Sequence, residues 1–262
     1  AELETQGVAD NTLILFVSDN GRAFPREKTT LYDVGIKTPW IMKWPGHIKA
    51  GTVNPNLVSS IDIAPTFMRA AQLDPLPIFE GYDIGPTLAE EMPDVRQFIY
   101  AEDHFHDFED YTRAVRTERY KYIKNFYPDL PNTPSADILR DRSWQSMLQE
   151  REAGTLTDAQ LWCFNAPRPE EELYDLGTDP YELNNLAGTS AAQLLLDSLR
   201  QILVDIRATT KDYLPAQRMP EDFFRATGYP TKYRIRPRPS KAVYEEAARK
   251  GIVLENPDFE QD

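Results

Sequence analysis

The chain has 262 residues, of which 41% are hydrophobic and 11% aromatic, and its formal net charge is −13. This composition suits a folded protein with one or two cores and excludes a chain that is disordered throughout. A negative charge of this size argues against a nucleic-acid-binding protein, which needs an excess of Lys and Arg. No apolar run approaches the roughly 20 residues that cross a bilayer. The only cysteine, Cys163, rules out an intramolecular disulfide and is expected to be a small core residue.

The first hundred residues alternate between predicted helices and predicted strands. The opening segment 1–10 predicts the last turns of a helix followed by a loop, and the apolar run at 11–18 predicts a central parallel strand buried on both faces. A short strand at 38–46, a helix at 59–73 and a strand at 96–103 follow. This order predicts an α/β fold whose functional edge lies at the strand ends.

The pattern changes after this region. Segment 112–126 alternates in the β manner, and segment 170–187 predicts a short strand, a turn at Gly177 to Pro180 and a helix cap. Both segments predict strands of a smaller antiparallel sheet. Segment 190–209 predicts a long helix with an apolar stripe, formed by Leu195, Leu199, Ile202, Leu203 and Ile206. Beyond Tyr213 the chain is rich in proline and charge, which predicts an extended tail with one short helix at 241–250.

These elements predict three parts. Residues 1–110 are expected to belong to the main α/β domain, residues 111–212 to a C-terminal subdomain with antiparallel strands and a packing helix, and residues 213–262 to the tail.

An acid and an amide follow the first apolar strand directly, as Asp19 and Asn20, and Gly21 then allows the backbone to turn away. Ligands of parallel α/β sheets bind beyond the carboxyl ends of the strands. Carboxylate and amide oxygens are hard ligands that suit calcium or magnesium better than zinc. An Asx turn without any ligand is the alternative, and spacing alone leaves it open.

Six segments, taken in order, resemble motifs of the sulfatases, a family of the alkaline-phosphatase-like superfamily. They are "DNTLILFVSDNG", "KTTLYDVGIKTPWIMKWPG", "VSSIDIAPTFMRAA", "FEGYDIGPTL", "RAVRTERYKYI" and "ELYDLGTDPYELNNLA". The resemblance implies the C-terminal part of a mixed sheet flanked by helices, plus a small antiparallel-sheet subdomain. It covers about residues 8–210.

The resemblance also implies roles for single residues. Asp19 and Asn20 are expected to bind one divalent cation, calcium by family habit with magnesium as the alternative. Lys28 matches the lysine that contacts the sulfate, although a solvated surface lysine would look the same in sequence. Lys37 matches a position that is usually arginine, so both a structural role and a substrate contact stay open.

The substrate is suggested by the segment that carries His104 and His106. This segment, the long stretch before "ELYDL", and "SDNGRAFP" resemble the heparan N-sulfatases (N-sulfoglucosamine sulfohydrolases). That resemblance implies hydrolysis of a sulfate ester or N-sulfate on a glycosaminoglycan-type sugar, such as N-sulfoglucosamine, with either histidine lining the pocket. A polar surface loop is the alternative for both histidines.

The nucleophile expected of the family does not occur in this chain. Sulfatases oxidise the Cys or Ser of a C/S-x-P-x-R motif to formylglycine, and Cys163 is followed by Phe-Asn-Ala. We therefore expect the formylglycine in an N-terminal half of the same protein, and we expect this chain alone to be inactive. Family habit suggests a periplasmic, lysosomal or secreted location.

Two other functions remain open at this stage. A phosphate or phosphonate ester hydrolase of the same superfamily would use two zinc or manganese ions instead of one calcium. A non-catalytic carbohydrate-binding relative would keep the fold without turnover.

Overall fold

Two antiparallel sheets organise the part of the chain that the computed structural model describes, which is residues 1–89, 95–234 and 241–251. A ribbon pairs β1 (Ile14–Val17) with β2 (Trp40–Lys43). A four-stranded sheet has the strand order β3–β4–β5–β6. Its strands are β3 (Ile99–Phe105), β4 (Glu109–Arg116), β5 (Tyr120–Asn125) and β6 (Glu171–Asp175).

The α-helices of these residues are mostly short. They are α1 (Glu2–Thr5), α2 (Asp33–Ile36), α3 (Ile63–Ala70), α4 (Gly85–Leu88), α5 (Ala136–Leu139), α6 (Arg142–Ala153), α7 (Asp158–Leu161), α8 (Gln193–Thr210) and α9 (Lys241–Arg249). The predictions of α1, α3, α8 and α9 are confirmed, whereas α2 and α4 to α7 were not predicted. None of the described helices is both long and apolar enough to span a membrane.

The interpretation of β1 as a central parallel strand buried on both faces is wrong for the described residues. β1 pairs with β2 alone and runs antiparallel to it. Phe16 is 64% exposed and its cross-strand partner Ile41 is 63% exposed. The apolar run does form a strand, but one face of it has no cover within the described part of the chain.

The strand predicted at 96–103 has a different neighbour from the one expected. β3 pairs antiparallel with β4 and so belongs to the four-stranded sheet, not to an alternating parallel one. The reason is the short connection at 106–108, because two strands joined so closely can only form an antiparallel hairpin.

The four-stranded sheet is covered on both faces because its apolar side chains alternate. On one face, Val115, Tyr122 and Leu173 pack against α8, where Leu196, Leu199 and Leu203 are buried. On the other face, Leu31 and Tyr32 pack against a set formed by Ala114, Ile123 and Tyr174. The predicted α8 stripe is therefore confirmed, with Leu196 as an addition. The segment just before α2 is thus fixed directly to the sheet.

Candidate functional site

The polar residues that directly follow β1, Ser18 to Asn20, are referred to below as the Asp-Asn step and are held by local hydrogen bonds. The Ser18 hydroxyl donates to the carbonyl of Asn20 at 2.9 Å, and the Asn20 amide N–H donates to Asp19 Oδ1 at 3.0 Å. The Asn20 side-chain nitrogen donates to the Gly21 carbonyl at 2.6 Å, which leaves its amide oxygen as the remaining polar atom. The Asp19 side chain is exposed.

Gly21 lets this step approach α2 closely. Its amide N–H donates to the carbonyl of Gly35 at 2.8 Å. A Cβ at position 21 would lie 2.2 Å from the carbonyl oxygen of Val34. Only glycine fits this position, so the Asp-Asn step is fixed against the backbone of α2.

Lys28 closes the loop that begins at Ser18. Its backbone N–H donates to the Arg22 carbonyl at 3.1 Å. Its ammonium forms an ion pair of 2.9 Å with Asp137 Oδ2, and its side chain is only 20% exposed. Burial favours a higher pKa at Asp137, but hydrogen bonds from Ser135 and Lys28 outweigh it and hold the pKa below its usual value. The Asp137 side chain is therefore a carboxylate at neutral pH.

The middle of this loop is anchored to the C-terminal part of the chain. Arg26 donates to the backbone carbonyls of Tyr181 at 3.0 Å and Glu182 at 2.6 Å, and its guanidinium lies 4.1 Å from the ring centroid of Tyr32. Arg26 and Thr29 both have positive φ, at 67° and 66°. Such backbone conformations are costly for non-glycine residues and persist only where surrounding contacts impose them.

The two candidate histidines lie at the end of β3. The β3–β4 register shifts between Asp103 and Phe105, as at a β-bulge, so that His104 occupies an irregular position beside the hairpin. His104 is exposed, and its ring centroid is 6.4 Å from that of Tyr111. His106 Nδ1 lies 3.1 Å from Asp107 Oδ2.

His106 and Lys28 are both connected to the first residues of α5, His106 through its neighbour Asp107 and Lys28 through Asp137. Asp107 Oδ2 accepts the backbone N–H of Ala136 at 2.8 Å, and the next residue, Asp137, pairs with Lys28. Lys37, in contrast, is exposed at the end of α2, where its backbone N–H donates to the carbonyl of Asp33 at 2.7 Å.

The residues after β1 fit part of a hard-cation site. Asp19 and Asn20 offer one carboxylate and one amide oxygen on adjacent residues, and calcium takes six to eight such oxygens. Among the described residues, no group of three or more His, Cys, Asp or Glu side chains could hold a metal ion. The pair can therefore supply only part of a coordination shell, and its role as a metal ligand stays a prediction.

Comparison with known proteins then shows the family. A family model described as N-sulphoglucosamine sulphohydrolase, C-terminal, matches residues 24–153. A protein named ulvan-active sulfatase from Formosa agariphila is 37% identical over 205 residues, which cover 77% of this chain and 34% of that protein. The chain belongs to the sulfatase family. The resemblance stated from the six sequence segments is confirmed.

Two further proteins show how much of a sulfatase the chain represents. Human N-sulphoglucosamine sulphohydrolase is 29% identical over 226 residues, covering 80% of the chain and 44% of the human protein. The structure of BT4656 in complex with its substrate D-glucosamine-2-N,6-O-disulfate aligns with a TM-score of 0.58 and 25% identity, covering 81% of the chain and 37% of that structure. The chain thus spans between 34% and 44% of these relatives.

Two carboxylates of this sulfatase chain were missed by the sequence analysis. Asp137 lies far along the chain from Lys28, and no spacing rule relates them. Burial, followed by the charge of Asp110, raises the pKa of Asp103 beside the histidine hairpin to about 7. A carboxyl group with such a pKa is typical of functional sites. In the sequence, the only indication of a functional role for Asp103 was its position at the end of the strand predicted at 96–103.

The close approach of Gly21 to α2 gives a first testable prediction. Gly21→Ala is expected to lower the free energy of unfolding by about 1–3 kcal/mol, because the new methyl group must displace the backbone at Val34. The measurement is urea-induced unfolding followed by tryptophan fluorescence.

Gly188→Ala is the matched control, because a Cβ at position 188 would have no neighbour within 4 Å and its φ is not positive. It is expected to change stability by less than about 0.5 kcal/mol. Equal stability of the two variants would contradict the close packing of the Asp-Asn step on α2.

Proposed function

We propose that the chain forms one side of the active site of a sulfatase that hydrolyses sulfate esters or N-sulfates of a glycosaminoglycan-type sugar, with N-sulfoglucosamine as a candidate substrate. The observation that carries the proposal is the closed loop 18–28. It presents Asp19 and Asn20 near its start and Lys28 at its end, and the Lys28 amide donates to the carbonyl of Arg22, two residues after Asn20.

The three side chains have complementary roles in this proposal. Asp19 and Asn20 would hold one divalent cation, calcium or alternatively magnesium, which when bound favours negative charge on the sulfate oxygens. Lys28 would donate to a sulfate oxygen and neutralise the charge that develops as the S–O or S–N bond breaks. His104 and His106 would line the sugar pocket, and Lys37 would be a further contact at its margin.

The formylglycine nucleophile and the remaining metal ligands would come from an N-terminal half of the same protein. The exposed face of the β1–β2 ribbon supports this part of the proposal. Phe16 and Ile41 are opposite each other and largely exposed, and Ile14 on the same face is 37% exposed. An apolar face of this kind marks an interaction surface. A periplasmic, lysosomal or secreted location remains an expectation from the family.

The test compares the chain alone with the chain assembled with a polypeptide that carries the C/S-x-P-x-R motif. The chain alone is expected to show no turnover of an aryl sulfate or of an N-sulfoglucosamine saccharide. The assembly is expected to turn over at least one of them, to lose activity with a calcium chelator and to regain it when calcium is restored. Lys28→Met is expected to lower kcat by about 10²–10³-fold, the usual cost of removing one group that stabilises developing charge.

Asn184→Ala serves as the control for Asn20→Ala, because both residues are amides in polar loops and Asn184 is exposed. Only Asn20→Ala is expected to raise the calcium concentration that gives half-maximal activity. Turnover by the isolated chain would contradict the proposal. A preference for a phosphonate ester with two zinc ions would favour the hydrolase alternative, and sugar binding without turnover would favour a non-catalytic relative.

A further inference from the structure

The ammonium of Lys28 is held by one carboxylate, that of Asp137, at 2.9 Å. The same carboxylate accepts the hydroxyl of Ser135 at 2.5 Å through its other oxygen. Because both oxygens of Asp137 are engaged, its side chain has little freedom to rotate, and the position of the ammonium is defined from the carboxylate side.

Residues 135–137 form the turn at the start of α5 that carries Asp137, and the β3–β4 hairpin holds this turn in place. The buried carboxylate of Asp107 accepts the backbone N–H of Ala136, directly before Asp137. Ser135 and Ala136 are each 1% exposed, and Ala136 packs in a core cluster with Phe108. Asp137 therefore projects from a rigid support and not from a free loop.

The backbone of Lys28 is fixed as well. It is held by the bond to the Arg22 carbonyl, and the following residue, Thr29, has positive φ. Both ends of the Lys28 side chain are thus constrained, while 20% of the side chain remains exposed. An ammonium has three N–H donors, so pairing with Asp137 leaves donors for a second partner.

We propose that Asp137 is a positioning residue that orients the ammonium of Lys28 toward a substrate anion, with the 135–137 turn and Asp107 as its support. The inference rests on the proposed function for the role of Lys28, but its structural part can be tested without turnover. Asp137 does not contact the substrate in this proposal. It selects one rotamer of Lys28 and so removes the need to order a long flexible side chain when substrate binds.

The first test measures the rate at which a trace amount of acetic anhydride acetylates the side-chain amine of each lysine, read out by peptide mass spectrometry. Lys28 is expected to react more slowly than the exposed Lys43 in the wild-type chain. Asp137→Asn is expected to raise the rate at Lys28 by about two- to fivefold, the range that a partly exposed ion pair supports. The rate at Lys43 should not change.

Asp129→Asn is the matched control, because Asp129 also pairs with a cation, Arg218 at 2.6 Å, and is similarly exposed. It is expected to leave the Lys28 rate unchanged.

Lys121, which is fully buried, reports on folding in every variant. Should it become reactive in Asp137→Asn, Ser135→Ala is used instead and is expected to raise the Lys28 rate in the same direction. Unchanged Lys28 rates in a folded variant would overturn the proposal.

The second test uses the assembled protein with an N-sulfated or aryl sulfate substrate. Asp137→Asn is expected to lower kcat by roughly tenfold with a smaller change in KM, since misplacing a reacting group by about 1 Å can cost up to a hundredfold. Asp137→Glu, which keeps the charge, is expected to recover part of the loss. Full kcat in Asp137→Asn would overturn the positioning role and leave the proposed function intact. Absence of turnover in the wild-type assembly would instead refute the proposed function, and the acetylation rates would still decide the positioning role.

Discussion

Lys121→Met is expected to lower the free energy of unfolding by about 3–5 kcal/mol, the cost of leaving buried charges without their partner. Lys121 is fully buried on β5, with its ammonium 2.6 Å from Asp33 Oδ1 and 2.8 Å from Glu182 Oε1. Burial raises the pKa of Glu182, and Lys121 offsets only part of that rise. Methionine fills a similar volume but leaves the buried Glu182 without its cation and Asp33 with Arg116 as its remaining cationic partner. Urea-induced unfolding at neutral pH measures the loss.

Lys124→Met on the same strand is the control, because Lys124 is 24% exposed and its partner Glu170 lies 3.4 Å away and is mostly exposed. A surface pair of this kind contributes about 0–1 kcal/mol. A loss below about 1 kcal/mol in Lys121→Met would show that the two carboxylates are neutral or hydrated in the folded protein.

Asp212→Ala is expected to have a comparable effect that depends on pH. Asp212, just after α8, accepts hydrogen bonds from Arg113 at 2.7 and 2.8 Å, from Arg207 at 3.0 Å and from Tyr111. Arg113 is 1% exposed, so its guanidinium would lose its main partner inside the protein. We expect a loss of about 3–5 kcal/mol at pH 7.

The sign of the pH dependence follows from the pKa of Asp212. Burial favours a higher pKa, but the bonds from Arg113, Tyr111 and Arg207 outweigh it and hold the pKa well below its usual range. The carboxylate therefore stabilises the folded state fully above about pH 4 and progressively less as the pH falls toward its folded pKa. The difference between wild type and Asp212→Ala should therefore shrink progressively from about pH 4 to about pH 2.

Asp205→Asn, an exposed change on α8, is expected to leave both stability and its pH dependence unchanged within about 0.5 kcal/mol. A gap between wild type and Asp212→Ala that stays constant down to pH 2 would contradict the assignment of Asp212 as the ionised partner of Arg113.

The sequence predicts best what depends on neighbouring residues. The apolar stripe of α8 repeats every three to four positions, so Leu199 and Leu203 were identified as core and are buried. The burial of Cys163 was likewise expected, and burial raises the pKa of its thiol to about 12. The Asp-Asn step and Lys28 could be proposed because strand end, turn and family motif are contiguous in the chain.

What the sequence could not predict depends on distant pairings. The alternation in β3 indicates a strand but not its neighbour, and the apolar run of β1 shows that two faces can be buried but not what covers them. Asp137 contacts Lys28 across 109 positions, and the fold alone brings them together. Side chains that act through another residue leave no local pattern to find.

The anchoring of loop 18–28 has a consequence for its dynamics. Arg26 bonds to the backbone after β6, and Asp33 accepts from Arg116 on β4 at 3.1 Å and from Lys121 on β5. We therefore expect loop 18–28 and α2 to open together with the four-stranded sheet and not to fluctuate independently of it. Amide hydrogens of loop 18–28 and of β5 should exchange with solvent through shared opening events. Substitutions deep in the sheet can therefore disturb loop 18–28 without contacting it.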